Sequence, residues 1–253
     1  MINPTDLSGK NIVVTGASSG IGRGIAIFLS RVGANVIMVA RNEQRLREVH
    51  NLLEPGGHSF HVLDLGDTEG IGGLFDEICS EGLKLNGLVH SAGISVTVPI
   101  QLLKLDDLRN IMNINVYSFF ELVKQFSKRK NNDNGGSIVA ISSISSKVGA
   151  RGLSAYCASK GALDSAVRAL ALDLAPKNIR INSVDPGMIR TQIYDDLNQV
   201  VNSADFETEL KRRQILGLGE PADVAHAAAF LLGNASSFIT GTSLVVDGGY
   251  LAH

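Results

Sequence analysis

Tryptophan is absent from this sequence, and cysteine and proline are scarce, at two and six of 253 residues. The cysteines, Cys79 and Cys157, are far apart, and neither has a second Cys or a His at ligand spacing. No metal site is expected from them. A disulfide is not expected either, and two free thiols fit a reducing cytoplasm. None of the six histidines shows metal spacing or a catalytic partner. No run of about 18 apolar residues is present, so no membrane span is expected. The opening M-I-N-P-T-D-L-S-G-K lacks the basic start and apolar stretch of a secretory leader. Net charge is only −2, which gives no reason to expect nucleic acid or an anionic membrane as partner. What remains is 44% hydrophobic and 19% charged, too apolar for a disordered chain. The length suits one large α/β domain.

Short runs rich in Val and Ile alternate with longer helical patterns. Asn11–Thr15, Asn35–Ala40, Ser59–Leu63, Gly87–His90, Ser137–Ile141, Arg180–Val184 and Ser243–Val246 read as strands buried on both faces of a parallel sheet. Helices are predicted over Gly22–Val32, Glu43–Leu53, Thr68–Cys79, Leu105–Arg129, Ser154–Ala175 and Pro221–Leu232. In the first, Ile25, Phe28, Leu29 and Val32 form one apolar stripe. Such alternation predicts a doubly wound α/β fold, a seven-stranded parallel sheet with helices on both faces. The segment Met188–Gly217 fits no strand and reads as a substrate lid.

The first strand leads into Thr15-Gly16-Ala17-Ser18-Ser19-Gly20-Ile21-Gly22, which opens the first helix. Glycine permits a tight turn and lets a phosphate approach the backbone. Free amides at the helix N-terminus attract the anion. A lone glycine triplet is weak evidence, but this one sits between a strand and a helix, where a dinucleotide binds. A carboxylate ending the second strand would hold a ribose diol and select NAD. Here the strand ends at Arg41-Asn42. The Arg41 guanidinium suits a 2′-phosphate and the adenine face, so NADP(H) is expected over NAD(H). Ser18 is a second donor to that phosphate. Asp64-Leu65, after the third strand, stands where the adenine edge belongs, although Asp64 reads almost as well as a helix cap.

Tyr156 and Lys160 share one helical face. A phenol with a pKa of about 10 is a poor acid or base at neutral pH. An ammonium beside it favours the phenolate and is expected to draw that pKa down. Alone, this spacing describes many surface pairs. Ser142-Ser143 strengthen it, because they end the fifth strand, and ligands bind at the carboxyl ends of such strands. Asn113 and Asn115 lie in the long amphipathic pattern 105–129. Each reads either as a satisfied core amide or as part of a functional network.

Together these motifs resemble the short-chain dehydrogenase/reductase family. The resemblance runs from Thr15 to Gly249. It rests on T-G-A-S-S-G-I-G at 15–22, Asp64-Leu65, Ser91-Ala92-Gly93, Asn115, Ser143, Y-C-A-S-K at 156–160, Asp185-Pro186-Gly187 with Thr191, and Val246-Asp247-Gly248-Gly249. It implies a Rossmann fold and hydride transfer between NADP(H) and a substrate carbonyl or hydroxyl. Tyr156 would be the general acid in reduction and the base in oxidation. Lys160 would lower its pKa and hold the nicotinamide ribose, and Ser143 would orient the carbonyl. Asn115 would hold a water in a relay to Lys160, leaving Asn113 as a surface or capping amide. Gly16, Ser18, Ser19, Gly20, Ile21 and Gly22 would meet the phosphates, and Arg41, Asn42, Asp64 and Leu65 the adenosine. Ser91, Ala92 and Gly93 would complete the cofactor site, with Pro186, Gly187, Ile189 and Thr191 around the nicotinamide. Ser91 replaces the family's usual asparagine and is expected to make a shorter version of its sheet contact.

The resemblance extends to 3-oxoacyl carrier-protein reductases, which would make an acyl carrier protein a partner. Lys128-Arg129-Lys130 could meet such a carrier, although a basic last turn already suits the helix dipole. Leu172 stands where those reductases tend to be basic. The alternative substrate is another small ketone, aldehyde or sugar. A homotetramer or homodimer is implied, paired through helices 105–129 and 154–175. A nucleotide-sensing scaffold without turnover would lack part of the Ser143, Tyr156 and Lys160 set, which is complete here.

Overall fold

The computed structural model describes residues 4–192, 194, 208, 210 and 212–252, with the backbone alone at 133 and 134. Most of the expected lid lies outside these residues. Seven parallel strands form one sheet in the order β3-β2-β1-β4-β5-β6-β7. They are β1 Asn11–Thr15, β2 Asn35–Ala40, β3 Ser59–Val62, β4 Leu85–His90, β5 Asn132–Ile141, β6 Ile179–Pro186 and β7 Ser243–Val246. The helices are α1 Gly20–Arg31, α2 Glu43–His50, α3 Gly70–Ile78, α4 Leu105–Met112, α5 Ser118–Phe126, α6 Ser154–Leu174 and α7 Pro221–Leu232.

Alternate strand residues feed two layers. Along β1, Ile12 and Val14 face α1, α2 and α7, where Ile25, Leu29, Leu46 and Leu232 are buried. Val13 faces the other layer, with Phe75 of α3, Phe119 and Phe126 of α5, and Leu163 and Val167 of α6. Burying each such side chain contributes about 1.5–3 kcal/mol. Burial on both faces leaves no polar alternation, which is why the strands were legible as apolar runs.

Three strands run further than expected. β5 begins five residues early because its first part is polar and held by backbone pairing. Leu85 pairs with Asn132 across a register shift, and Asn132 Nδ2 donates to Phe126 O at 2.7 Å. The expected single helix 105–129 is corrected. A π-turn, Asn113–Tyr117, joins α4 to α5, which ends at Phe126. A π-turn inserts a residue without ending the helix, so the apolar stripe continues through it. Lys128 and Lys130 follow the helix, and Lys130 pairs with Asp76 at 2.5 Å while Lys128 donates to Gln125. Cys79 and Cys157 are unpaired thiols. No helix of the described residues is long and apolar enough to cross a membrane.

Candidate active site

The carboxyl ends of β1 to β5 open onto an elongated cavity of about 400 Å³. Its middle is the glycine loop. Gly16 has φ +66°, and a Cβ there would lie 2.8 Å from Ala92 N, so this loop packs directly on the turn after β4. A Cβ on Gly22 would collide with the Gly16 carbonyl. Ser18, Ser19, Gly20 and Ile21 line the same wall. Ser19 precedes α1 without capping it through its side chain, and no acidic residue occupies the first turn. The first amides of α1 are therefore left for an anion.

Arg41, Asn42 and Arg45 line the end beyond β2. Asn42 Oδ1 accepts from Arg45 N at 2.9 Å and caps α2. Arg47 pairs with Glu43, whereas Arg41 and Arg45 have no carboxylate partner among the described residues. Arg45 went unnoticed in the sequence, and its signal was a second base one turn after the end of β2. Asp64 and Leu65 also line the cavity. Asp64 Oδ1 accepts from Gly66 N at 2.9 Å, so the carboxylate holds its own turn. Asn113 Nδ2 donates to Gly66 O at 2.7 Å. Asn113 thus ties that turn down and is not a surface amide. Two unpaired guanidiniums beside open helix amides fit a phosphorylated dinucleotide.

Tyr156, Lys160 and Ser142 close the other end. Lys160 is buried, and its Nζ donates to Ile141 O at 2.8 Å. Burial lowers its pKa to about 8, against the upward pull of Asp164 and Asp185. Burial likewise pushes the Tyr156 phenol up to about 12, and a hydrogen bond from Ser143 opposes this. The expected downward pull of Lys160 on the phenol is not what this arrangement gives. The ammonium is turned towards Ile141 and lies 5.5 Å from the ring centre. Desolvation therefore wins.

Asn115 is fully buried in the π-turn. Its Oδ1 accepts from Ile94 N at 2.9 Å, and its Nδ2 donates to Ile94 O and Ser159 Oγ, each at 3.0 Å. A Cβ on Gly93 would lie 3.3 Å from Asn115 Oδ1 and 3.5 Å from Lys160 Nζ, so both side chains lie close against that glycine. Ser91, Ala92 and Gly93 line the cavity, as does Thr191. Pro186, Gly187 and Ile189 do not. Pro186 ends β6, Gly187 N donates to Val246 O, and Ile189 packs in the core beside the Gly219 bridge. Ile94, Ile114 and Gln192 also line the cavity, as does Ser142, which the sequence placed with Ser143 at the end of the fifth strand.

Two polar networks flank Lys160. In one, His90 lies against Thr15 and the Asn115 carbonyl. The sequence gives no histidine a metal spacing or a catalytic partner, and it places the expected sheet contact on Ser91. At this point of the sheet the side-chain bonds come from His90, while Ser91 donates its backbone N–H to Thr15 Oγ1. In the other, Lys147 pairs with Asp164 at 3.2 Å and with Asp185. Ser183 Oγ lies 3.0 Å from Asp164 Oδ1 and 3.3 Å from Asp185 Oδ1.

Residues 16–251 match a family model described as enoyl-(acyl carrier protein) reductase. A 3-oxoacyl-[acyl-carrier-protein] reductase of Rickettsia conorii is 35% identical over 247 residues, 97% of this chain and 98% of that one. A cyclopentanol dehydrogenase of a Comamonas species is 37% identical over 248 residues, 96% of this chain and 98% of that one. Among solved structures, a candidate NAD(P)-dependent gluconate 5-dehydrogenase of Beutenbergia cavernae, with NADP bound at low occupancy, superposes with a TM-score of 0.90. It is 31% identical and covers 99% of this chain and 100% of its own. With its glycine loop, its parallel sheet, and Tyr156 and Lys160 at one end of the cavity with Ser143 beside Tyr156, this chain belongs to the short-chain dehydrogenase/reductase family of oxidoreductases.

Proposed function

We propose that this protein uses NADP(H) to interconvert a small carbonyl compound and its alcohol, with Tyr156 as the acid and base. One observation carries the reading. Tyr156, with Ser143 beside it and Lys160 four residues on, closes a cavity whose far end holds Arg41 and Arg45 without acidic partners among the described residues. A bound nicotinamide supplies or takes the hydride. Tyr156 gives its proton to the oxygen of the reacting carbonyl, and Ser143 donates a hydrogen bond to that oxygen. Lys160 presents its charge to the cofactor's ribose. Asn115 holds Ile94 and keeps one lone pair of Oδ1 for a water on the way to Lys160. With its pKa pushed up, the phenol is protonated at neutral pH, the form that the reduction step needs.

Arg41 and Arg45 support NADP(H) over NAD(H), since neither can accept from a ribose diol. Relatives of near-equal identity act on a carrier-bound oxoacyl group and on cyclopentanol, so the reading stops at a carbonyl or secondary alcohol. The engagement of Lys128 and Lys130 within this chain weighs against an acyl carrier protein. Exposed Tyr117 at the end of the π-turn, Phe120 on α5 and Leu172 on α6 support assembly as a homodimer or homotetramer. Gln214 supports one domain with a lid over 188–217, because its side chain grips Met188 N and O and Gly217 O. The free thiols suit the cytoplasm.

The test is NADPH oxidation with an acetoacetyl thioester, a cyclic ketone, an aromatic aldehyde and a keto-sugar. Tyr156→Phe should lower kcat by about a thousandfold while NADPH still binds. Arg41→Asp should move preference towards NADH. Full turnover by Tyr156→Phe would overturn the assigned acid, and an unchanged cofactor ratio would remove Arg41 from phosphate recognition.

A further inference from the structure

His90 ends β4, is fully buried, and stands opposite Thr15 in the β1–β4 register. Its Nδ1 lies 3.2 Å from Thr15 Oγ1, and its Nε2 lies 3.2 Å from Asn115 O. Thr15 settles the ring's protonation. Its Oγ1 already accepts from Ser91 N and Ala92 N, each at 3.2 Å. Its own proton is then left for Nδ1, so the ring proton sits on Nε2 and is donated to the Asn115 carbonyl. Burial first, and the Lys160 charge second, pull the ring's pKa down to about 3. The ring is neutral at any working pH. Phe119 packs against it at 5.5 Å.

Each bond ends on a different half of the site. Thr15 runs straight into Gly16 and the phosphate-binding loop. Asn115 belongs to the π-turn, where the backbone ladder slips by one residue, and its side chain holds Ile94 beside Lys160. We infer that His90 is a positioning residue that keeps the glycine loop and the Asn115 turn in one register, by a bond to each. This inference rests on the oxidoreductase reading.

Isosteres separate the two bonds. In His90→Asn the amide replaces Nδ1 and keeps Thr15 while losing Asn115. In His90→Gln the amide replaces Nε2 and keeps Asn115 while losing Thr15. His90→Asn should lower kcat about tenfold and leave the Kd for NADPH within about threefold. His90→Gln should raise that Kd about tenfold and leave kcat within about threefold. Parallel losses in both variants, or none in either, would overturn the coupling. Adding His90→Gln to Thr15→Val should raise the Kd no further, because both remove the same bond, and additive losses would also overturn it. NMR of the wild-type ring nitrogens needs no variant to fold. It should find the neutral Nε2–H tautomer, and an Nδ1–H or charged ring would refute the bonding scheme. A wild type that neither binds NADPH nor reduces any carbonyl would refute the oxidoreductase reading instead, leaving the tautomer result to decide the bonding.

Discussion

The two networks beside Lys160 bury polar groups by opposite means. The Thr15, His90 and Asn115 network carries no charge and lies wholly inside, between the sheet and the helix of the π-turn. The Lys147, Asp164 and Asp185 cluster is ionic and lies at the rim. Lys147 keeps 37% of its side chain exposed, while Asp185 keeps none. Neutral groups are desolvated at modest cost once each finds a partner. Ions cost far more, and the strain is visible in Asp185, whose pKa burial raises to about 6. Depth thus selects the chemistry. The neutral network holds geometry where water cannot reach, and the ionic one sits where a lysine stem can bring its charged head to solvent.

The comparison can be broken, starting with the largest effect. Thr15→Val strands two backbone amides and the His90 ring, and should cost about 3 kcal/mol in chemical unfolding. That loss should be equal in acid and at neutral pH and unchanged by salt. A salt-dependent loss would mean the interior network is not neutral. Lys147→Met should cost about 2 kcal/mol at neutral pH, discounted for exposure. Here the sign runs the other way with pH. The native chain keeps a proton on Asp185 up to about pH 6 that the unfolded chain has already lost. That contribution is present in acid and fades as pH rises through this value. The variant's loss should therefore shrink in acid and in high salt, and a constant loss would remove the ionic account.

The smallest effect sharpens the contrast at Lys160 itself. Its pKa of about 8 predicts that carbonyl reduction falls on the alkaline side as the ammonium is lost. Asp164→Asn removes a carboxylate that raises this pKa, and should move the fall about one unit lower. His90→Gln should leave the midpoint in place. If both variants moved it equally, the two networks would not differ electrostatically.

The legible parts of this molecule were those written in neighbouring residues. The strand cores, the glycine loop, Arg41, and Tyr156 with Lys160 each show in a short stretch. His90 did not, because a polar residue at a strand end looks like a boundary, and its partners lie 75 and 25 positions away. The π-turn was hidden because one added residue leaves the apolar stripe readable. Gln214 was missed for the first reason again, since it meets Met188 from 26 positions away.

The placing of β1 beside β4 has a consequence in time. Thr15 cannot find His90 until some seventy intervening residues, with two strands and three helices, have been gathered between them. Long closures of this kind slow a folding reaction more than they weaken its product. The glycine loop has no wall to lean on before that pairing, since Gly16 rests on Ala92. During refolding, helical signal should return well ahead of dinucleotide binding, and binding should wait for the central pair of strands.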